Sequence, residues 1–296
     1  METDIRYLIR HRTTYRYVRP VELRPHRLML FPRSSHVIRV LDSSLACTPP
    51  ARLERTLDVF GNLIVTAEFA EAAARLIIAS DLIVEQSAAQ WPVFRIAPEA
   101  HSYPFAYTPD DLTDLGALLA PEYEDCAGKL EAWARGFVHA TPTDTLSLLQ
   151  DLNAGILDVV SYRTRDEQGT QAPLETMAKA SGTCRDIAAL FIDAARRLGF
   201  GARAVSGYLY DPDAAIDDHG STHAWAEVYL PGAGWIPFDP THRRMGSAGL
   251  VPVAVARCNA QTTPVDGGYI GAPEDFIGME VSVSVSQAEI PPPGPQ

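Results

Sequence analysis

Close cysteine pairs are missing from this chain. Cys47, Cys126, Cys184 and Cys258 are scattered, which argues against both a zinc knuckle and a disulfide framework and fits a reducing compartment. No glycine-rich loop runs into a helix, so nothing suggests a nucleotide. No apolar segment reaches transmembrane length, and Met1-Glu2-Thr3-Asp4-Ile5-Arg6 has no basic stretch leading into an apolar run. Cytoplasmic residence is the expectation, with no membrane partner. Basic charge is also short: 37 acidic against 25 basic residues leave a formal net charge of −12, which disfavours nucleic acid unless the basic residues cluster. One cluster exists, from Arg6 to Arg33, and its alternation with apolar residues reads as the solvated face of a strand. No internal repeat is visible.

What is present begins with 296 residues, enough for two domains with a sizeable core. From Ile5 to Val18 the residues alternate, which predicts a long strand with one solvated side. Strand-like runs follow at 28–31, 37–45, 56–60, 63–69 and 76–84, with a turn at Phe60-Gly61-Asn62. This predicts a β-sandwich-like domain over residues 1–90. Pro92, Pro98, Pro104 and Pro109 mark 91–109 as an extended connector. Residues 110–286 then read as a mixed α+β domain, with helices at 122–139, 145–160, 173–178 and 184–198 and strands at 202–210, 221–230, 235–239, 250–256 and 276–285. The Pro-rich end, 287–296, reads as a disordered tail.

The last of these helices carries the chemistry. Ser181-Gly182-Thr183-Cys184-Arg185-Asp186 opens a run in which Ile187, Leu190, Phe191, Ala194 and Leu198 fall at helical spacing, and Arg196-Arg197 and Gly199 close it. Cys184 therefore stands at the helix N-terminus. Unpaired N–H groups and the dipole there favour a thiolate, lowering its pKa from the free value of about 8.5. Taken alone, a buried structural cysteine is the commoner reading. Asp186 would oppose thiolate formation and is read as a helix N-terminal partner.

Downstream, Ser221 to Leu230, Pro231-Gly232-Ala233-Gly234 and Trp235 to Asp239 read as a β-hairpin. If its loop is Pro231 to Ala233, Leu230 opposes Gly234, Trp225 opposes Asp239, and His223 is the diagonal same-face neighbour of Asp239. A four-residue loop without a bulge would put the two on opposite faces. His219, in a polar acidic loop at 211–220, and His242, after the Pro240 turn, read as surface histidines. A metal at His219, His223 and Cys184 is disfavoured by Gly220. Trp225 and Trp235 read as core or cleft wall.

Cysteine, histidine and acid in this order resemble the transglutaminase-like superfamily. The resemblance is carried by Gly182-Thr183-Cys184-Arg185-Asp186, Ala204-Val205-Ser206-Gly207-Tyr208, His223-Ala224-Trp225-Ala226-Glu227-Val228-Tyr229 and Gly234-Trp235-Ile236-Pro237-Phe238-Asp239-Pro240-Thr241. In the N-terminal region, Arg12 to Tyr17, Pro20-Val21 and Asp58 to Asn62 resemble the domain that precedes the core in bacterial members. The likeness implies a papain/transglutaminase-like core, with Cys184 as nucleophile, His223 as base and acid, and Asp239 orienting the imidazole. By position it points to Tyr162 as an oxyanion or cleft candidate, beside Trp225. Relatives tend to carry an aspartate and an aromatic where this chain has Cys258-Asn259. The function expected is acyl transfer from a carboxamide or peptide bond through a thioester, by hydrolysis or amine transfer, without a cofactor. Its partners would be a protein or peptide donor, such as a glutaminyl side chain, and an amine acceptor. The rival reading is a non-catalytic peptide- or protein-binding module of the same fold.

Overall fold

The computed structural model describes residues 4–165, 167–212 and 220–288. Its first strand, Ile5–Leu23, buries Tyr7, Ile9, His11, Thr13 and Tyr17 and turns Arg10, Arg12 and Arg16 outward, as the alternation requires. Ala73–Gln86 pairs with it on one side and in turn with Ile38–Thr48. A second sheet runs Val265–Asp266, His26–Leu28, Leu63–Phe69, Ala51–Leu57. Both sheets supply one apolar cluster, in which Ile9, Ile78 and Val84 meet Leu28, Val65 and Ala67. The sandwich-like arrangement follows from burying the apolar side of each sheet against the other.

The strand expected at 276–285 forms as Phe276–Gln287, and its partner is the first strand, from Tyr7 against Gln287 to Thr13 against Val281. The N-terminal sheet therefore takes its edge from the far end of the chain. Alternation reveals a strand but not which strand it joins.

The other half is α+β. One antiparallel sheet has the order Arg244–Met245, Gly234–Asp239, Gly220–Leu230, Ala202–Tyr210, Leu250–Ala256. The cysteine helix, Cys184–Arg197, lays Ile187, Leu190, Phe191 and Ala194 on it, in a core shared with Thr145–Val159 and Lys129–Arg135. Instead of one helix over 122–139, only Lys129–Arg135 is helical. Gly128 enters it at φ +62°, and the Asp125 carboxylate accepts from the backbone N–H of Lys129 and Glu131 at 2.8 and 3.0 Å. A helix at Pro109–Leu115 was not expected. Its signal is Thr108-Pro109-Asp110-Asp111, a capping box with proline in the first turn. The connector packs on this second core, where Tyr103 stacks on Phe200 with ring centroids 5.4 Å apart.

Two side-chain amides join the halves. Asn62, wholly buried, donates from Nδ2 to the Val255 carbonyl at 2.7 Å and accepts from the Val255 N–H at 2.9 Å. Gln86 donates to the Leu250 and Ser247 carbonyls and accepts from the Gly249 N–H, each at 2.9 Å. They stand in for the strand that Leu250–Ala256 lacks on its outer edge, where bare backbone groups would be costly. Phe60, on the Asp58–Asn62 turn, packs against a cluster of Val205, Leu209, Trp225, Leu250 and Val255. The N-terminal half thereby walls the layer that holds Trp225.

Candidate active site

Cys184 is the first helical residue, with Thr183 as N-cap, and is partly exposed. Its position is set by Asp186, which is wholly buried. That carboxylate accepts from the Thr183 N–H and hydroxyl at 2.8 and 2.9 Å, from the Gln171 N–H at 2.8 Å, and from Arg165 at 2.8 and 2.9 Å. Burial alone would raise its pKa, but these donors lower it to about 2. Asp186 is thus a helix N-terminal partner, and it also ties the 163–171 segment to the cysteine. Gly182 cannot be larger, because a Cβ there would stand 2.8 Å from the Asp186 Cβ.

The hairpin has the three-residue loop. Leu230 opposes Gly234 and Ala226 opposes Phe238, which sets Trp225 opposite Asp239 and leaves His223 on the diagonal. His223 Nε2 lies 2.9 Å from Asp239 Oδ2, and both side chains are buried. Nδ1 of the same ring is then the nitrogen left for the thiol, and the thiol and imidazole shift each other's pKa. Burial disfavours the imidazolium, yet the Asp239 charge and hydrogen bond, with the thiol, raise the His223 pKa to about 10. Burial would also raise the Cys184 thiol. The hydrogen bond and charge of His223, the Ala224 N–H and Arg185 lower it instead. Asp239 is lowered well below the carboxylate range by the same imidazole and by His242. The arrangement favours a thiolate–imidazolium pair, which can attack an electrophilic carbon and return a proton.

His242 corrects the sequence reading. It is no solvated histidine, since its Nδ1 lies 2.8 Å from Asp239 Oδ2 and its ring meets His223 edge-on at 5.1 Å. Its spacing, three residues past Asp239 across a proline turn, was the available signal. His223, Asp239 and His242 bring three potential metal-ligating atoms within 4.8 Å of one another. His219 and most of the acidic loop lie outside the described residues.

Trp225 is buried and stacks on His223, with ring centroids 6.0 Å apart and planes 23° from parallel. Its indole N–H has no hydrogen-bond partner among the described residues. Tyr162 is half-exposed; its backbone pairs with Gly182, two residues before the cysteine. In the Cys258-Asn259 segment, the Asn259 side chain donates to the Arg185 carbonyl at 2.7 Å, inside the first turn of the cysteine helix.

Known proteins are similar to this chain in sequence and in fold. Uncharacterized proteins of Mycobacterium tuberculosis and Mycobacterium bovis are each 29% identical over 294 residues, covering 95% of this chain and 92% of their own length. The crystal structure of a candidate cysteine protease from Cytophaga hutchinsonii matches with a TM-score of 0.75 at 21% identity, covering 98% of this chain and 93% of that one. The bacterial transglutaminase-like N-terminal region matches residues 7–85, and the transglutaminase-like superfamily core matches residues 131–240, which hold Cys184, His223 and Asp239. With both regions matched one after the other over this fold, the chain belongs to the transglutaminase-like superfamily.

Proposed function

We propose that this protein is a thiol-dependent enzyme that transfers an acyl group from a carboxamide or peptide bond through a thioester on Cys184. The observation that carries the reading is the Cys184 thiol at a helix N-terminus, its pKa lowered by an imidazole whose Nε2 rests on Asp239 at 2.9 Å. In this reading the Cys184 thiolate attacks the carbonyl carbon. The oxyanion draws on the Cys184 backbone N–H at the helix terminus, and Tyr162 and Trp225 shape the cleft beside it. Collapse breaks the C–N bond, the His223 imidazolium gives its proton to the leaving nitrogen, and the acyl group remains on sulfur. Neutral His223 then takes a proton from water or from an incoming amine, which releases the acid or a new amide. The donor is a protein or peptide, such as a glutaminyl side chain, and the acceptor is water or a primary amine. Four free cysteines support action in a reducing compartment such as the cytoplasm. Among the described residues no helix is long and apolar enough to cross a membrane.

Iodoacetamide at about pH 6 tests the nucleophile. Cys184 should alkylate stoichiometrically and far faster than free cysteine, and His223→Ala should remove that advantage. A thiol that reacts like free cysteine would leave the binding-module reading. Incubation with a glutaminyl peptide, with and without a primary amine, separates transfer from hydrolysis by product mass.

A further inference from the structure

Asp239 holds two imidazoles on one oxygen. His223 Nε2 and His242 Nδ1 lie 2.9 and 2.8 Å from Oδ2, while Oδ1 accepts from the Thr241 N–H at 3.1 Å. A carboxylate that orients a catalytic imidazole needs one such partner, so the second requires an explanation. His242 does not reach Asp239 by chance contact. Its own N–H bonds the Asp239 carbonyl across the Pro240 turn. The chain beyond is fastened to the helix Thr145–Val159, with Asn153 donating to the Arg244 carbonyl and Arg243 pairing with Asp158. Among the described residues, the charged groups that these elements bring to the turn are Asp239 and His223 from the hairpin, Asp158 of the helix paired with Arg243, and Arg244 paired with Asp211.

We propose that His242 is a positioning residue for the Cys184–His223 pair: by donating Nδ1–H to Asp239 Oδ2 it fixes the carboxylate that orients the catalytic imidazole. A carboxylate held only by Thr241 and His223 can turn about its Cβ–Cγ bond. With His242 bonded to Oδ2, the oxygen facing His223 stays in the ring plane and keeps its charge, and the imidazolium it supports keeps Cys184 ionised. Supporting partners of this kind orient a reacting group without touching substrate. The inference rests on the thiolate–imidazolium reading above.

The test is the pH profile of Cys184 alkylation by iodoacetamide in the full chain, measured for the native protein, His242→Ala, His242→Phe and His242→Asn, with thermal melts to verify folding. Phenylalanine keeps the ring volume and removes the donor. Asparagine keeps an N–H at the position of the imidazole Nδ1, two bonds beyond Cβ. His242→Ala and His242→Phe should move the acid limb up by about one pH unit, a roughly tenfold loss of rate at about pH 6. His242→Asn should stay near the native profile. A native limb in folded His242→Phe overturns the proposal, and so does a shift of equal size in His242→Asn. If native Cys184 itself reacts no faster than free cysteine, the enzymatic reading falls first and this one with it.

Discussion

At His223 two forces oppose each other, and their balance decides the chemistry. Burial favours the neutral ring, but the Asp239 carboxylate on one nitrogen and the thiol beside the other hold the proton to about pH 10. A pKa raised above the unfolded value of about 6.5 contributes stability that is whole below that pH and is lost as pH rises through about 10. Asp239 has the opposite sign, with a depressed folded value whose stability is present above an unfolded value near 3.9 and lost as pH falls further. Both contributions are therefore in force across the weakly acidic range. The same ionisations separate two assays. Turnover of an amide needs the His223 proton and should fall as pH passes about 10, while alkylation, which needs only the thiolate, should persist. Asp239→Asn removes the charge that holds the imidazolium, so alkylation at about pH 6 should drop tenfold or more, since each unit of pKa is a tenfold change in ionised fraction.

One short element, Gly182 to Asp186, does the placing. Cys184 was legible as a helix-start residue because caps and amphipathic spacing are local properties, whereas the His223–Asp239 register was legible only as two alternatives, of which the three-residue loop of the folded hairpin selects the one that sets both on one face. Less legible was the breadth of Asp186's role. A capping acid was expected, but its ties to Arg165 and Gln171 come from a segment 15 to 21 residues earlier, whose polar composition reads as loop and nothing more. Asp186→Ala should destabilise the fold by about 3 kcal/mol in urea unfolding, the lower end for a broken buried pair because Arg165 still reaches water. The 163–172 segment should then be cleaved faster by a nonspecific protease. The over-long helix at 122–139 was misread because apolar spacing masks one glycine at positive φ, and that glycine sets where the helix starts.

Across the whole molecule, the two halves share edges. The first strand, Ile5–Leu23, needs Phe276–Gln287 on one side, and the Leu250–Ala256 strand needs Asn62 and Gln86 on the other. Asn62→Ala leaves the Val255 N–H and carbonyl without partners, a cost of about 1–3 kcal/mol by chemical denaturation. Because Phe60 on the same turn packs on the cluster that contains Trp225, and Trp225 stacks on His223, this variant should also slow Cys184 alkylation.

The sequence by itself determined most of the segments that become helix or strand and the helix terminus under Cys184, and it narrowed the pairing of His223 with Asp239 to two hairpin frames. These depend on side-chain periodicity, capping and loop length within a few dozen residues. Only the tertiary structure decided that the final strand closes the first sheet, that two amides complete the edge of the second, and that His242 joins Asp239. Each of those contacts is chosen by which surfaces and donors are left unsatisfied once the halves pack, and no local pattern records it.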